Sequence, residues 1–351
     1  MNFSGILLNW YQQNKRELPW RKTKDPYFIW LSEIIMQQTR VEQGTPYYKA
    51  FIKNYPSVKH LANAPGDEVL KLWQGLGYYS RARNLHEAAK YIATELSGKF
   101  PESYLDILKL KGIGEYTAAA IASFAFHQPY PVIDGNVYRV LSRVFGITTP
   151  VDSTEGKKTF KALAYELLDK KDPATYNQAI MEFGAMYCKP VNPDCEQCVF
   201  AHTCLAKAGK LVKELPVKQL KTKVRERHFQ YIVLRYKSLV WLRKRTEKDI
   251  WQGLFDFPMI ESLQALSETE LKKSDFWKKH LSKLDPSIRS HSATYKHVLS
   301  HQRIFATFWE IKLKKKALES DWTETDISRI FEFPVPRLID LYLETGPESL
   351  S

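Results

Sequence analysis

One stretch of the sequence reads Leu108-Lys-Leu-Lys-Gly-Ile-Gly-Glu-Tyr-Thr-Ala-Ala-Ala-Ile121, which predicts the end of one helix, a glycine turn and the start of another helix. Gly112 and Gly114 permit a close turn because glycine carries no side chain. The second helix starts near Tyr116, so the turn and the helix N-terminus present N–H groups that can bind a phosphate. This is the helix-hairpin-helix pattern, and an ordinary glycine corner between helices is the alternative.

A single acid follows the hairpin, in the segment Val132-Ile-Asp-Gly-Asn-Val-Tyr-Arg-Val140. Asp134 stands at the start of a predicted helix and has apolar neighbours. It is therefore either a helix N-cap or a carboxylate held in place for chemistry. The segment taken alone leaves both interpretations open.

All four cysteines of the chain lie in one short run, at Cys188, Cys195, Cys198 and Cys204. A disulfide framework would spread its cysteines to close long loops. Zinc sites usually use two close pairs joined by a longer spacer, whereas this compact, uneven spacing favours a loop around one 4Fe-4S iron-sulfur cluster. Zinc and chance clustering are the alternatives.

Composition indicates a globular protein that binds a polyanion. The 351 residues are 44% hydrophobic and 13% aromatic, which is typical of two folded domains. The formal net charge of +13 favours nucleic acid as the partner, with a basic solubilising surface as the alternative. No run approaches the ~18 apolar residues of a membrane span, and the N-terminus lacks the pattern of a signal peptide. We expect a cytosolic protein.

The chain changes character near residue 206. Up to about Leu205 the apolar residues recur at helical spacing, and the Lys-rich stretch that follows predicts a linker. Beyond it, β-branched and aromatic residues predict strands, and two further stretches predict helices, giving an α+β domain. The predicted strands are 229–236, 238–245 and 303–313, the first two as a hairpin, and the predicted helices are 262–281 and 336–344.

Hairpin, acid and cysteines in this order resemble one family, the adenine DNA glycosylases of the MutY type within the endonuclease III superfamily. The resemblance covers nearly the whole chain. Further matching segments are Leu18-Pro-Trp-Arg21, Trp30-Leu-Ser-Glu-Ile-Ile-Met-Gln-Gln-Thr-Arg-Val41, Trp73-Gln-Gly-Leu-Gly-Tyr-Tyr-Ser-Arg-Ala-Arg-Asn-Leu85 and, at the start of a Nudix-like part, Trp251-Gln-Gly-Leu-Phe-Asp-Phe-Pro258.

The resemblance implies the fold class and the domain boundaries. We expect a mainly α glycosylase domain over residues 1–205, with two helical subdomains, the helix-hairpin-helix and the iron-sulfur loop. A basic linker over 206–227 and an α+β Nudix-like lesion-recognition domain over 228–351 follow. No glutamate-rich pyrophosphatase box follows the Nudix-like segment, so this domain is expected to bind nucleotides without hydrolysing them.

The resemblance also implies the activity, which is removal of adenine opposite 8-oxoguanine or, less efficiently, guanine. Bifunctional members of the superfamily carry a lysine where this chain has Tyr116, and tyrosine forms no Schiff base. A monofunctional glycosylase that leaves an abasic site is therefore expected. Lys109 and Lys111 lie nearby in sequence and leave room for a weak lyase side activity.

The expected chemistry needs two carboxyl groups with different duties. Glu33 lies in the apolar stretch from Ile29 to Met36 and matches the family's acid, so burial should raise its pKa and make it the proton donor to the adenine. Asp134 would stay ionised and stabilise or trap the sugar cation in a retaining, two-step displacement. Tyr116 and Asn136 would orient it.

The expected DNA contacts follow from the same matches, because the target base must leave the helix. Gln38 and Tyr78 match the residues that fill the gap. Leu299-Ser300-His301 stands where the family has the lesion-reading Phe-Ser-His, so an apolar intercalator replaces an aromatic ring at Leu299. The remaining expected DNA contacts are Arg21, Arg81, Arg83, Gly112 and Gly114.

The expected partner is double-stranded DNA that contains adenine opposite 8-oxoguanine or guanine, bound by a monomer in the bacterial cytoplasm near the nucleoid. An endonuclease III-like pyrimidine glycosylase and lyase is the alternative within enzymes. A catalytically silent DNA-binding protein and a zinc-site binding module are the alternatives outside this enzyme class.

Overall fold

The computed structural model describes residues 2–219, 224–316 and 321–345. The chain divides into two compact units, Met1–Asn63 with Asn84–Lys221, and Ala64–Arg83 with Thr222–Ser351. The predicted boundaries at 205/206 and 227/228 stay a prediction, and residues 220–223 of the predicted linker lie outside the described residues. No helix in the described part of the chain is long and apolar enough to cross a membrane.

The N-terminal part is helical, as predicted. Its helices in the described residues are α1 (Phe3–Asn14), α2 (Pro26–Met36), α3 (Val41–Asn54), α4 (Val58–Asn63), α5 (Gly66–Leu72), α6 (Ser80–Thr94), α7 (Tyr104–Leu108), α8 (Glu115–Phe126), α9 (Gly135–Val144), α10 (Thr154–Leu167), α11 (Pro173–Met186) and α12 (Leu205–Ala208). A 3-10 turn spans Pro19–Arg21.

Local capping fixes where the helices begin. Asp25, Asp134, Ser153 and Asp172 each stand at an N-cap and accept a backbone N–H of the first turn. A proline follows Asp25 and Asp172 at the first helical position, where its missing N–H costs nothing. The sequence therefore sets the starts of α2, α9, α10 and α11, the helices that carry or support the candidate site.

An aromatic core joins α1, α9, α10 and α11. Trp10 packs edge-on against Phe183, and Phe183 meets Phe200 at a ring-centroid distance of 5.3 Å. Cys188, Cys198 and Cys204 border the same core from its edge. Separately, α2 packs against α3 and α8, and α7 packs against α8. The cysteine loop and the hairpin helices are thus supported by the packing of the first unit.

The C-terminal part of the second unit is built on one mixed sheet. Its strands in the described residues are β1 (Arg225–Tyr236), β2 (Leu239–Lys244), β3 (Phe255–Asp256), β4 (Met259–Ser262), β5 (Pro286–His291), β6 (Tyr295–Val298), β7 (Gln302–Leu313) and β8 (Trp322–Asp326). The order is β3-β2-β1-β7-β5, with β4 on β1, β6 on β7 and β8 on β2. β1 and β7 are parallel, and the predicted β1–β2 hairpin is confirmed.

The helices of this part are α13 (Glu268–Lys273), a π-helical turn (Trp277–Leu281), a 3-10 turn (Ile327–Glu332) and α14 (Arg337–Thr345). The predicted helix over 336–344 is confirmed by α14. The predicted helix over 262–281 is wrong in its extent, because Ser262 pairs with His228 in the sheet and α13 starts only after the capping box of Ser267. The predicted class, helical first and α+β after it, is confirmed.

Candidate active site and its surroundings

Glu33 and Tyr116 meet inside the first unit. Glu33 lies on α2 and is 8% exposed, and the hydroxyl of Tyr116, in the first turn of α8, donates a 2.7 Å hydrogen bond to its Oε2. Burial raises the pKa of Glu33 to about 7, and the nearby charge of Asp134 raises it as well. The hydrogen bond from Tyr116 lowers the pKa but does not cancel this rise. A carboxyl with this pKa is present both as acid and as base near neutral pH.

Asp134 has a different environment. It caps α9, where its Oδ1 accepts the Val137 N–H at 2.8 Å and its Oδ2 accepts the Asn136 side-chain amide at 2.7 Å. Burial raises the pKa of Asp134, and these two hydrogen bonds oppose that rise. Both donors favour the carboxylate over the acid, so the N-cap and the functional interpretations of Asp134 are compatible.

Arg139 fixes the position of Asn136, the amide donor to Asp134. Its Nη2 donates to Asn136 Oδ1 at 2.8 Å and to the Gly184 carbonyl at 2.7 Å, and its Nε donates to the Cys188 carbonyl at 2.7 Å. The side chain is 9% exposed. Asn136 is therefore fixed with its amide N–H toward Asp134, and the cysteine loop is tied to the same guanidinium.

The hairpin has the predicted form between α7 and α8. Gly112 takes a φ of +76°, and a Cβ there would lie 2.6 Å from the Cβ of Asn84, so the position requires glycine. Gly114 precedes α8 as its N-cap, and a Cβ there would meet no atom within 4 Å. The phosphate contact of this turn stays a prediction.

Arg21 is engaged in a buried ion pair. Its Nη2 donates to Glu182 Oε2 at 2.9 Å, and Arg16 donates to both carboxylate oxygens of Glu182 at 2.8 Å. Burial alone would raise the pKa of Glu182, but the hydrogen bonds from Arg16 and Arg21 overcome it and lower the pKa to about 2. The predicted DNA contact of Arg21 stays a prediction, and the structure shows that Glu182 positions its guanidinium.

A cavity opens beside Glu33 and Arg21, and we call it the base cavity. Four of its nine lining side chains are aromatic or apolar, and the other five are polar or charged. The lining residues are Trp20, Arg21, Thr23, Ile29, Ser32, Glu33, Phe124, Gln178 and Met181. A flat ring with polar edges suits such a wall, because apolar faces cover the ring and the polar groups set its orientation.

Tyr78 and Ser300 come together in the second unit. Their hydroxyl oxygens lie 2.8 Å apart, although the residues are 222 positions apart in sequence. Leu299, Ser300 and His301 form a tight turn between β6 and β7, closed by a 2.8 Å bond from the Leu299 N–H to the Gln302 carbonyl. The structure therefore joins Tyr78, a predicted gap-filling residue, to Ser300 of the predicted lesion-reading turn.

Gln38 and Tyr78 both have strained backbones. Their φ angles are +55° and +47°, in the left-handed region that side chains avoid, and both side chains are exposed. Such strain at an exposed polar or aromatic residue is typical of functional positions. Their predicted role in filling the gap left by a flipped base is not tested by this geometry.

Arg81 and Arg83 support the loop around Tyr78. The Arg81 guanidinium lies 5.1 Å from the Trp73 ring centroid and donates to the Leu76 and Gly77 carbonyls at 3.2 Å. Burial lowers the pKa of Arg81 to about 10. Arg83 donates to the Gln252 carbonyl at 2.6 Å. The phosphate contacts predicted for these arginines stay predictions.

The four cysteines line one cavity, together with Arg143. Arg143 Nη1 lies 3.5 Å from Cys188 Sγ, and the Phe200 N–H donates to Cys198 Sγ at 3.4 Å. Within the described residues, no group of three or more possible ligands is placed to hold a single metal ion. Four cysteines that line one cavity match the ligand number of a 4Fe-4S cluster, which takes one thiolate at each iron.

Two family models match the chain. The description "HhH-GPD superfamily base excision DNA repair protein" applies to residues 31–165, and a NUDIX domain to residues 230–345. An adenine DNA glycosylase of Buchnera aphidicola (subsp. Schizaphis graminum) is 37% identical over 300 residues, covering 85% of this chain and 84% of the relative. The chain belongs to the adenine DNA glycosylase family. It is a DNA glycosylase of base excision repair that hydrolyses N-glycosyl bonds.

Other family members agree with this assignment. The adenine DNA glycosylase of another Buchnera aphidicola (subsp. Baizongia pistaciae) is 34% identical over 92% of this chain and 90% of its own. The human adenine DNA glycosylase is 43% identical over 58% of this chain and 39% of its own. The membership of the adenine DNA glycosylase family that the hairpin, Asp134 and the cysteines predicted is therefore confirmed.

Two solved structures share the helical fold of the N-terminal region of this chain. A thermostable thymine-DNA glycosylase is 29% identical, with a TM-score of 0.55 over 59% of this chain and 95% of its own. Endonuclease III in a non-covalent DNA complex is 20% identical, with a TM-score of 0.52 over 59% of this chain and 94% of its own. At 20% identity, the similarity to endonuclease III supports the fold of this region and nothing about its activity.

Sequence reasoning missed Arg16, Glu182 and Arg139. Glu182 and Arg139 are charged residues in otherwise apolar segments, Ile180-Met-Glu-Phe183 and Val137-Tyr-Arg-Val140, whereas Arg16 stands between Lys15 and Glu17. A lone charge among apolar residues on a helix is a usable signal, because burial of an ion requires a partner. The identity of that partner could not be found from the pattern.

Proposed function

We propose that the protein removes adenine paired with 8-oxoguanine or guanine in double-stranded DNA and leaves an abasic site. The observation that supports this most is the pair of Glu33 and Tyr116 beside Asp134. It supplies an acid with a pKa of about 7 and a second carboxylate held by N–H donors. This is the division of labour that cleavage of an N-glycosyl bond needs.

Glu33 is the proposed proton donor. Adenine leaves poorly as an anion, so a proton must reach its imidazole ring as the bond from sugar C1′ to N9 breaks. The bonding electron pair stays with the adenine, and the proton from Glu33 neutralises it. The base cavity would hold the ring beside Glu33, with Trp20, Phe124 and Met181 against its faces.

Asp134 is the proposed partner of the sugar cation. Its carboxylate is kept available by the Val137 N–H and the Asn136 amide, so it can stabilise or trap the positive C1′. Water then attacks C1′ on the face that the adenine has left and passes its proton to the Glu33 carboxylate, while any bond between Asp134 and C1′ breaks with its electron pair returning to Asp134. This yields the abasic site with retained configuration. Asn136 and Tyr116 orient the two carboxyl groups. Tyr116 offers no amine, so no Schiff base forms and the strand stays intact.

Lesion recognition is proposed for the turn Leu299-Ser300-His301 with Tyr78. The exposed Tyr78 contacts the exposed Ser300, and the half-buried Leu299 precedes Ser300 in the same turn, which supports a wedge made of one aromatic and one aliphatic side chain. An aromatic and an aliphatic wedge can both enter a base stack. Gln38 is the proposed filler of the gap left by the adenine.

Cys188, Cys195, Cys198 and Cys204 are proposed to hold one 4Fe-4S cluster. The cluster would supply a fixed, charged anchor for this loop and would take no part in bond cleavage. Arg143 would remain near the thiolate of Cys188, where a cation offsets part of the cluster's charge.

DNA is the partner of the family, and a net charge of +13 supports tight contact with its phosphates. The proposal specifies a duplex with an adenine mispair, bound by a monomer. The proposed location is the bacterial cytoplasm, at the nucleoid.

Single-turnover incubation with end-labelled duplexes tests the proposed reaction. Adenine is placed opposite 8-oxoguanine, guanine or thymine, and each sample is divided between treatment with and without hot alkali. Strand breakage that requires alkali and occurs opposite the first two bases supports the proposal. Breakage without alkali would show a lyase, and equal excision opposite all three bases would contradict the mispair specificity.

A further inference from the structure

A second cavity of the first unit is lined by tyrosines and lysines, and we call it the strand cavity. It shares no lining residue with the base cavity. Tyr104, Tyr130 and Tyr165 form an aromatic group in its wall. The rings of Tyr104 and Tyr130 stack at 4.3 Å, and Tyr165 meets Tyr130 edge-on at 6.5 Å. These ring contacts fix the positions of the three tyrosines in the cavity wall.

The charge of the strand cavity is positive. Lys157, Lys158 and Lys161 all line it from α10, and all three are exposed. Glu115 also lines it and pairs with Lys161 at 3.0 Å, so Lys157 and Lys158 provide the excess. Among the ion pairs of the described residues, Lys161 is the one of these three lysines that pairs with a carboxylate. An anion with hydrogen-bond acceptors is the complementary ligand.

The strand cavity adjoins the candidate catalytic residues. Tyr116 and Ile133 line it, and Ile133 precedes Asp134 in the chain. The hydroxyl of Tyr116 in turn donates to Glu33, which lines the base cavity. A nucleotide whose base occupies the base cavity would therefore bring its neighbouring backbone close to the strand cavity.

We propose that the strand cavity binds the phosphodiester backbone next to the target nucleotide, on the strand that carries it. Lys157 and Lys158 bind phosphate oxygens there. Tyrosine hydroxyls donate to the same groups, and the rings of Tyr104 and Tyr130 cover the adjoining deoxyribose, as side chains of these types do in DNA complexes. This inference rests on the proposed function, because it requires a flipped nucleotide in the base cavity.

The test compares two double variants that remove equal charge. Lys157→Gln with Lys158→Gln changes the strand cavity, and Lys170→Gln with Lys171→Gln changes two adjacent exposed lysines beyond the end of α10. Binding to a duplex with a tetrahydrofuran abasic analogue opposite 8-oxoguanine is measured by fluorescence anisotropy over a range of salt concentrations. Each lost phosphate contact lowers the slope of log K against log salt by about 0.9.

We expect the slope to fall by about 1 to 2 in the strand-cavity variant and by clearly less in the control. Ethylation interference on the analogue-bearing strand then locates the contact. The wild-type protein should show interference at phosphates next to the analogue, and the strand-cavity variant should lose it there while keeping it at more distant phosphates. Thermal unfolding of both variants confirms that they are folded.

Equal slopes in the two variants, or an unchanged interference pattern, would overturn this inference. So would loss of interference at every phosphate alike, since that indicates a general effect of charge. Adenine excision by the wild-type preparation is measured alongside. If the wild-type protein excises adenine and one of these contrary results is found, only the proposed role of the strand cavity is refuted. If the wild-type protein does not excise adenine, the proposed function itself is refuted.

Discussion

Replacing Tyr116 by phenylalanine is expected to extend excision to higher pH. The Tyr116 hydroxyl donates to the Glu33 carboxylate and so favours its ionised form. Removing the donor favours the protonated form, which raises the pKa of Glu33 further above its value of about 7. Because the proposed donor must carry its proton, the pH at which the rate falls should move upward with that pKa.

The size of the shift follows from the strength of the bond. A hydrogen bond to a charged group contributes about 1.5–3 kcal/mol, and one pKa unit corresponds to about 1.4 kcal/mol, so a rise of roughly one to two units is expected. The 2.7 Å distance and the burial of Glu33 place this bond at the strong end of its class. The maximal rate is expected to fall as well, since Tyr116 also fixes the position of the acid.

The assay is single-turnover excision from pH 5 to 10, with adenine opposite 8-oxoguanine. Tyr91→Phe is the matched control, because Tyr91 is 50% exposed and lines neither the base cavity nor the strand cavity. Its pH profile should match that of the wild-type protein. A profile of Tyr116→Phe whose alkaline limb stays in place, or moves to lower pH, would refute the assignment of Glu33 as the acid.

Glu33→Gln is expected to raise Tm at pH 8 and to have little effect at pH 5. The pKa of Glu33 is raised from 4.5 to about 7, so the contribution of its carboxyl to the free energy of unfolding is complete below pH 4.5. That contribution, roughly 3 kcal/mol, is lost as the pH rises through 7, and a neutral glutamine avoids this loss. Glu182→Gln should lower the urea-unfolding free energy by about 3 kcal/mol at pH 7, because the partly buried Arg16 and Arg21 lose the carboxylate that they share. Tyr78→Phe and Ser300→Ala should each reduce the preference for 8-oxoguanine over guanine, and a double-mutant cycle of the two excision ratios should give a coupling of about 1 kcal/mol. Cys198→Ser should lose the visible absorption and iron content of the purified protein, and full retention of both would contradict the cluster assignment.

The local structure at Gly112 and Asp134 could be predicted because the information for it is local. The turn at Gly112 follows from a backbone conformation that only glycine adopts easily, and the N-cap at Asp134 follows from the acid that precedes α9. The helix predicted over 262–281 failed because Ser262 is drawn into the sheet by β1, which is a tertiary effect.

Long-range pairs could not be predicted. Arg21 and Glu182 are 161 positions apart, and Tyr78 and Ser300 are 222 apart, so no sequence spacing links either pair. Periodicity left the burial of Glu33 open as well, since α2 is buried over most of its surface and not along one stripe. The partner of a buried charge is set by the packing of distant helices.

The different roles proposed for the two carboxyl groups follow from what surrounds them. Glu33 receives one phenolic hydroxyl in a buried setting, which leaves it with a proton to give near neutral pH. Asp134 receives a backbone N–H and an amide, and that amide is held by Arg139, whose Nε also binds the Cys188 carbonyl. A shift of the cysteine loop would therefore reach Asp134 through a continuous series of hydrogen bonds. Loss of the proposed cluster is therefore expected to impair the proposed stabilisation of the sugar cation by Asp134 more than the proposed protonation of adenine, because the described hydrogen bonds of this series do not include Glu33.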